Sequence, residues 1–167
     1  GAHLVTVGRE PELLQLKAMR EAGHGLAVLS AQYGAGKTHM LETMRSQALE
    51  EGWLVASATF DPVEVPPSHP IRVYAALMRG IQYPDRVGTG LRPWMEALGD
   101  RDRHISGDRK HRWLSPALFA AHHTHPDEAD AVLDFVAAQD TMESEFLNRL
   151  IRKRGYQGDR MYGLQDW

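Results

Sequence analysis

The sequence predicts an α/β fold, with a partial parallel sheet in its N-terminal part and a helical C-terminal segment. Three observations carry that expectation. Leu26-Ala27-Val28-Leu29 is a short apolar run suited to a buried strand, and residues 37–51 follow it with helical spacing and no Gly or Pro. Residues 53–60 read as a second strand closed by Asp61-Pro62, so strand, helix and strand make a right-handed βαβ unit. Beyond residue 113 the apolar spacing is helical, punctuated by Pro126 and Gly155.

Between the first strand and its helix lies Ala31-Gln32-Tyr33-Gly34-Ala35-Gly36-Lys37-Thr38. Strand, glycine-bearing loop, Gly-Lys-Thr and helix is the order of a Walker A motif, which makes the expected fold that of a P-loop NTPase. Gly34 and Gly36 lack a Cβ, so the backbone can take positive φ and approach a phosphate closely. The loop amides and the helix N-terminus would then receive the anion. Lys37 would reach the β- and γ-phosphates of ATP, and the Thr38 hydroxyl would bind Mg²⁺. Ala31 departs from the motif's usual first glycine, a replacement read as tightening the loop. The bland alternative is a strand-to-helix turn that holds Gly-Lys-Thr by chance.

Composition is that of an ordinary globular domain: 167 residues, 43% hydrophobic and 25% charged. No cysteine is present, which removes disulfides and thiolate sites and suits the cytoplasm. No apolar run approaches a membrane span, and a formal net charge of −3 exerts no global pull on nucleic acid.

Leu4 to Val7 reads as an edge strand or lead-in, and Gly8-Arg9-Glu10-Pro11-Glu12-Leu13 as a helix start whose apolar stripe (Leu13, Leu14, Leu16, Met19) stops at Gly23. On the next helix Met40, Leu41, Met44, Ala48 and Leu49 form the apolar side, and Gly52 ends it. Asp61, at a strand's C-terminal end, is read first as a turn cap and second as a Mg²⁺ or water contact. A Pro-rich link leads to a helix over 71–83, ended by Pro84. Residues 85–112 are polar, with a helical patch at 94–98, and read as an insertion. Its cations (Arg101, Arg103, Arg109, Lys110, Arg112) read as a solvated loop, with DNA contact the lesser reading. His111, His122, His123 and His125 are better explained by helix ends than by a metal. Three helices follow, over 115–122, 126–138 and from Asp140-Thr141 to Arg154. The basic residues of the last suit its helix dipole. The domain expectation is therefore 1–84 as the N-terminal half of a P-loop ATPase domain, 85–112 as insertion and 113–167 as a helical segment.

A Walker B strand is missing. Ala131-Val132-Leu133-Asp134 comes nearest, but inside a helical pattern. Too few strands can be counted for a complete P-loop sheet, so the domain is expected to continue beyond residue 167.

The Gly-Arg-Glu-x-Glu-Leu box ahead of the Walker A loop resembles the start of AAA+ and STAND-type ATPase modules, in which Gly8 and Arg9 would line the adenine. A closer resemblance rests on that box, on Tyr33-Gly34-Ala35-Gly36-Lys37-Thr38-His39, on Val55-Ala56-Ser57 leading to Asp61, and on Tyr74 and Leu77. Arg154-Gly155-Tyr156 and Leu164-Gln165-Asp166-Trp167 fit the same pattern. Together they resemble the ATP-binding protein of bacterial BREX phage-resistance systems. The resemblance implies a nucleotide site at Gly8, Arg9 and residues 33–39, an ATPase role in the longer protein, and protein partners within a defence system. Two other function classes are weighed beside it: a small P-loop kinase, and a non-catalytic interaction domain that keeps only the loop's form.

Overall fold

The computed structural model describes residues 8–98, 114–139, 144–153 and 155. They fall into two compact units, one up to Val55 and one from Ala56 onward.

In the first unit, α1 (Glu10–Glu21) and α2 (Lys37–Glu50) are the helices. Pro11 and two acidic residues occupy the first turn of α1, where a missing N–H costs nothing and negative charge meets the helix dipole. Gly23 and Gly52 follow the two helices with left-handed φ, and their N–H groups bond Arg20 O and Leu49 O. Arg20 joins the helices through Glu51, donating from Nε at 3.3 Å and Nη2 at 2.9 Å to Oε2. This forked, charge-assisted pair is only 15% exposed on the Arg20 side. Met40, Thr43 and Ala48 are buried on α2, whereas α1 buries no residue. A cavity of about 660 Å³ separates the apolar sides of the two helices, lined by Leu16, Met19, Leu26, Met40, Met44 and Trp53 among others.

The expected parallel sheet is not present among the described residues. Residues 26–30 and 53–60 form no ladder: Val55 makes a single bridge, and Asp61 with Val65 and Gln82 with Thr89 form isolated antiparallel bridges. A strand leaves every backbone N–H and C=O to be paired by a neighbour, and a lone segment offers none. The exposure of Leu26 (89%) and Val28 (85%) agrees with a segment that no neighbouring strand or helix covers. The βαβ reading of the sequence is thereby corrected: the apolar runs are real, but they are not assembled into a sheet. The predicted strand at Leu4 to Val7 lies outside the described residues.

The second unit is built on helices. α3 (Pro70–Arg79) stops at Gly80, four residues before Pro84, the predicted end. Gly80 N–H bonds both Ala76 O and Leu77 O at 3.1 Å, and a Cβ there would lie 2.6 Å from Ser57 O. The chain then turns back: Gly90 N–H bonds Ile81 O at 3.1 Å, Tyr83 OH donates to Gly90 O at 2.5 Å, and Arg86 Nη1 donates to Pro93 O at 3.1 Å. This turn delivers α4 (Arg92–Leu98).

α5 (Leu114–His123), α6 (Pro126–Val136) and α7 (Ser144–Lys153) complete the unit. Their buried residues recur at helical intervals: Ala117, Ala120 and Ala121; Ala129, Val132, Leu133 and Val136; Leu147, Leu150 and Ile151. The alanines are small enough for α5 and α6 to pack closely, and Met95 of α4 joins the same core. Tyr74 OH ties α3 to the end of α6 through Val136 O at 2.9 Å. Arg92 of α4 pairs with Asp130 of α6. Arg149, Arg152 and Lys153 are exposed on the opposite face of α7. The predicted cap of that helix at Asp140-Thr141, its end at Arg154, the basic residues at 101–112 and the tail from 156 lie outside the described residues. Ala131 to Asp134, the sequence nearest to a Walker B, is indeed helical, with Val132 and Leu133 buried in the core.

α6 ends in a motif that favours glycine. Ala138 stands at φ 55 while its N–H bonds Phe135 O at 3.0 Å and Gln139 N–H bonds Asp134 O at 2.8 Å. Ala138→Gly should raise stability by about 0.5–1 kcal/mol by relieving the left-handed alanine. Gly80→Ala should cost about 1–3 kcal/mol, because the new methyl meets the Ser57 carbonyl rather than a side chain that can move away. Urea unfolding of both variants beside the parent checks the two signs.

Candidate nucleotide site

The loop of residues 31–36 enters α2 through two glycines in one conformation. Gly34 and Gly36 both have φ 80, and no atom lies within 4 Å of the position a Cβ would take on either. The backbone surface there is open to a ligand. Ala35, between them, bonds back to Gln32 O at 3.3 Å. Gly36 is the N-cap of α2 and brings no side chain to cap the first-turn amides. Met40 N–H to Gly36 O, at 2.9 Å, closes the first helical turn.

Lys37 is the first residue of α2, and its ammonium folds back onto the loop. Nζ donates to Ala31 O at 2.6 Å and Gln32 O at 2.7 Å. The two bonds hold the N-terminal half of the loop against the helix. Thr38 and Tyr33 are exposed, Tyr33 completely so. His39 is half-buried on α2, and its carbonyl accepts the Thr43 hydroxyl at 2.9 Å.

Gly8 and Arg9 lie at the entry to α1. Gly8 takes φ 78 and its N–H donates to Glu10 Oε1 at 3.2 Å. Arg9 reaches across to the loop: Nη2 donates to Ala35 O at 3.3 Å while Nη1 pairs with Glu12 Oε1 at 3.0 Å. The structure thus brings Arg9, Ala31, Gln32, Ala35 and Lys37 into one hydrogen-bonded group. It gives Tyr33 and Thr38 no side-chain contact with that group. Glu12 was read from sequence only as a first-turn acid. Its spacing of three from Arg9 on a helix is the signal that marks it as the guanidinium's anchor. The 660 Å³ cavity of this unit does not include residues 31–38; it lies between the helices, where Leu16, Met19, Met40 and Met44 line it together with Glu12 and Arg20.

The remaining candidates are committed locally. Asp61 Oδ1 accepts from Val63 N–H at 2.8 Å and Glu64 N–H at 2.9 Å, which is the turn-capping role. His123 has Nδ1 at 2.9 Å from Phe119 O, and its ring stacks on Phe119. His125 sits 3.5 Å from Asp127 at the start of α6. Among the described residues no three metal-ligating side chains gather, and no helix is long and apolar enough to cross a membrane. His111 lies outside them.

A family model described as BREX system ATP-binding protein BrxC/D matches residues 1–98. The chain belongs to that family. The matched span is more than half of the 167 residues and holds α1 to α4 with the whole loop. Comparisons with curated proteins and with solved structures return no match. Membership in the BrxC/D family rests on the same stretch that carries the glycine loop. α5 to α7 lie beyond it.

The two amides on Asp61 stabilise its carboxylate and pull its pKa below the ordinary value, Glu64 N–H contributing most. A lowered folded-state pKa adds stability above the unfolded value, about 4, and loses it as pH falls through the folded one. Asp61→Ala should therefore melt below the parent at pH 7, and the gap should close on acidification below about pH 4. A gap that persists unchanged at low pH contradicts the turn-capping role. Thermal melts across the acid range read this out.

Proposed function

We propose that the chain binds Mg-ATP at residues 31–38 as the nucleotide-binding part of a BREX defence ATPase. The observation that carries this reading is the conjunction of Gly34 and Gly36 at φ 80 with Lys37 as the first residue of an α-helix whose N-terminus no side chain caps. Open backbone, a helix N-terminus and a cation at one point form a receptor for phosphate. The family description supplies the nucleotide's identity.

In this reading the Lys37 ammonium leaves the Ala31 and Gln32 carbonyls for the β- and γ-phosphates, exchanging neutral acceptors for charged ones. Thr38, exposed on the first turn of α2, offers its hydroxyl to Mg²⁺. Bound Mg²⁺ would offset phosphate charge; the chain's own contribution is to hold and orient the anion.

Binding without efficient turnover fits the two acids nearest the site in sequence logic. Asp61 spends an oxygen on its own turn, and Asp134 sits on a helix whose apolar face is core. Neither stands at the end of a strand, where a water-activating acid would belong.

Calorimetric titration with ATP and with ADP, each with Mg²⁺, tests the assignment. Lys37→Ala should weaken ATP binding by about 10–100-fold, the range for losing a charged hydrogen-bond pair. Equal affinity in parent and variant rejects the loop as the site. A phosphate-release assay on the same samples should stay near background, and sustained turnover would reassign an acid of this chain to hydrolysis.

A further inference from the structure

We propose that Arg9 is a positioning residue that sets the shape of the phosphate loop through the Ala35 carbonyl. The inference deepens, and rests on, the assignment of residues 31–38 as the nucleotide site.

The guanidinium of Arg9 is planar and offers donors in a fixed fork, so fixing one edge aims the other. Glu12 fixes the first edge at 3.0 Å from Nη1. Nη2 then meets Ala35 O at 3.3 Å, across 26 residues of sequence. Glu12 is a steady anchor because its carboxyl stays charged. A backbone hydrogen bond within its own residue, and secondarily Arg9, hold its pKa below the ordinary value.

Ala35 is the point at which a tether has most effect. It lies between two left-handed glycines, the residues with the greatest backbone freedom, and its own N–H makes only a 3.3 Å bond to Gln32 O. Lys37 restrains the other half of the loop, at Ala31 and Gln32. Arg9 and Lys37 together hold both halves, and Arg9 links the loop's apex to α1. As a tether it acts on phosphate recognition and is indifferent to the base.

The test uses the full 167-residue chain as parent, Arg9→Ala, Arg9→Lys and Glu12→Gln. Amide exchange is measured by NMR without nucleotide. Losing one exposed hydrogen bond should speed exchange at Ala35 by about fivefold in Arg9→Ala, with smaller increases in the other two variants. The Trp53 amide, bonded to Ala48 O at 2.9 Å in the same unit, should not change. Affinities for ATP, GTP and inorganic tripolyphosphate should all fall by one common factor, with partial rescue in Arg9→Lys. Unchanged exchange at Ala35 overturns the proposal. So does an altered preference for ATP over GTP with tripolyphosphate unaffected, which assigns Arg9 to the base. Should Trp53 exchange also rise in Arg9→Ala, that variant has lost its fold, and Arg9→Lys and Glu12→Gln decide by the same two readouts. Faster loop exchange in a parent that binds none of the three ligands keeps the tether and rejects the nucleotide site.

Discussion

Backbone hydrogen bonding is the constraint from which the rest of this structure follows. Helices satisfy their own N–H and C=O groups, and strands depend on neighbours. Every regular element among the described residues is a helix. The apolar runs at 26–30 and 53–60 stay outside any ladder among the described residues. Where a helix begins or a loop turns, a few backbone groups are left over. Gly36 brings no side-chain cap to the first turn of α2, while Ala31, Gln32 and Ala35 present acceptors that two cations hold.

The two units solve their packing differently. From Ala56 onward, α4 to α7 share one core in which alanines allow close approach and Val132 and Leu147 are wholly excluded from water. Up to Val55, α1 and α2 keep an open cavity between their apolar sides and are joined by the Arg20–Glu51 ion pair. The glycine loop belongs to the second kind of environment. Its geometry is set by individual hydrogen bonds from Lys37 and Arg9 and much less by packing.

Placing Arg9 on Ala35 changes how the Gly-Arg-Glu-x-Glu-Leu box relates to the loop. Sequence resemblance assigns Gly8 and Arg9 to the adenine. In the structure Gly8 is engaged with Glu10, and Arg9 bridges Glu12 to the loop apex. Box and loop are then one assembly, with α1 as the arm that carries it. Membership of the BrxC/D family spans both parts, since the match covers residues 1–98.

The helices were legible from the sequence because the information that specifies a helix is local. Pro11 and Pro126 near helix starts, Gly23 and Gly52 past helix ends, and apolar residues at three- and four-residue intervals marked them correctly. The glycine loop before α2 was legible for the same reason, since positive φ at Gly34 and Gly36 follows from residue type in a tight turn. Asp61 before Pro62 likewise declared its turn. What local pattern could not decide was whether an apolar run becomes a strand, because that depends on a partner segment and not on the run itself. Nor could it show that α3 stops at Gly80, where the Ser57 carbonyl leaves no room for a side chain, or that Arg9 meets Ala35. Those outcomes belong to contacts between residues far apart in the chain, and only the tertiary structure brings them together.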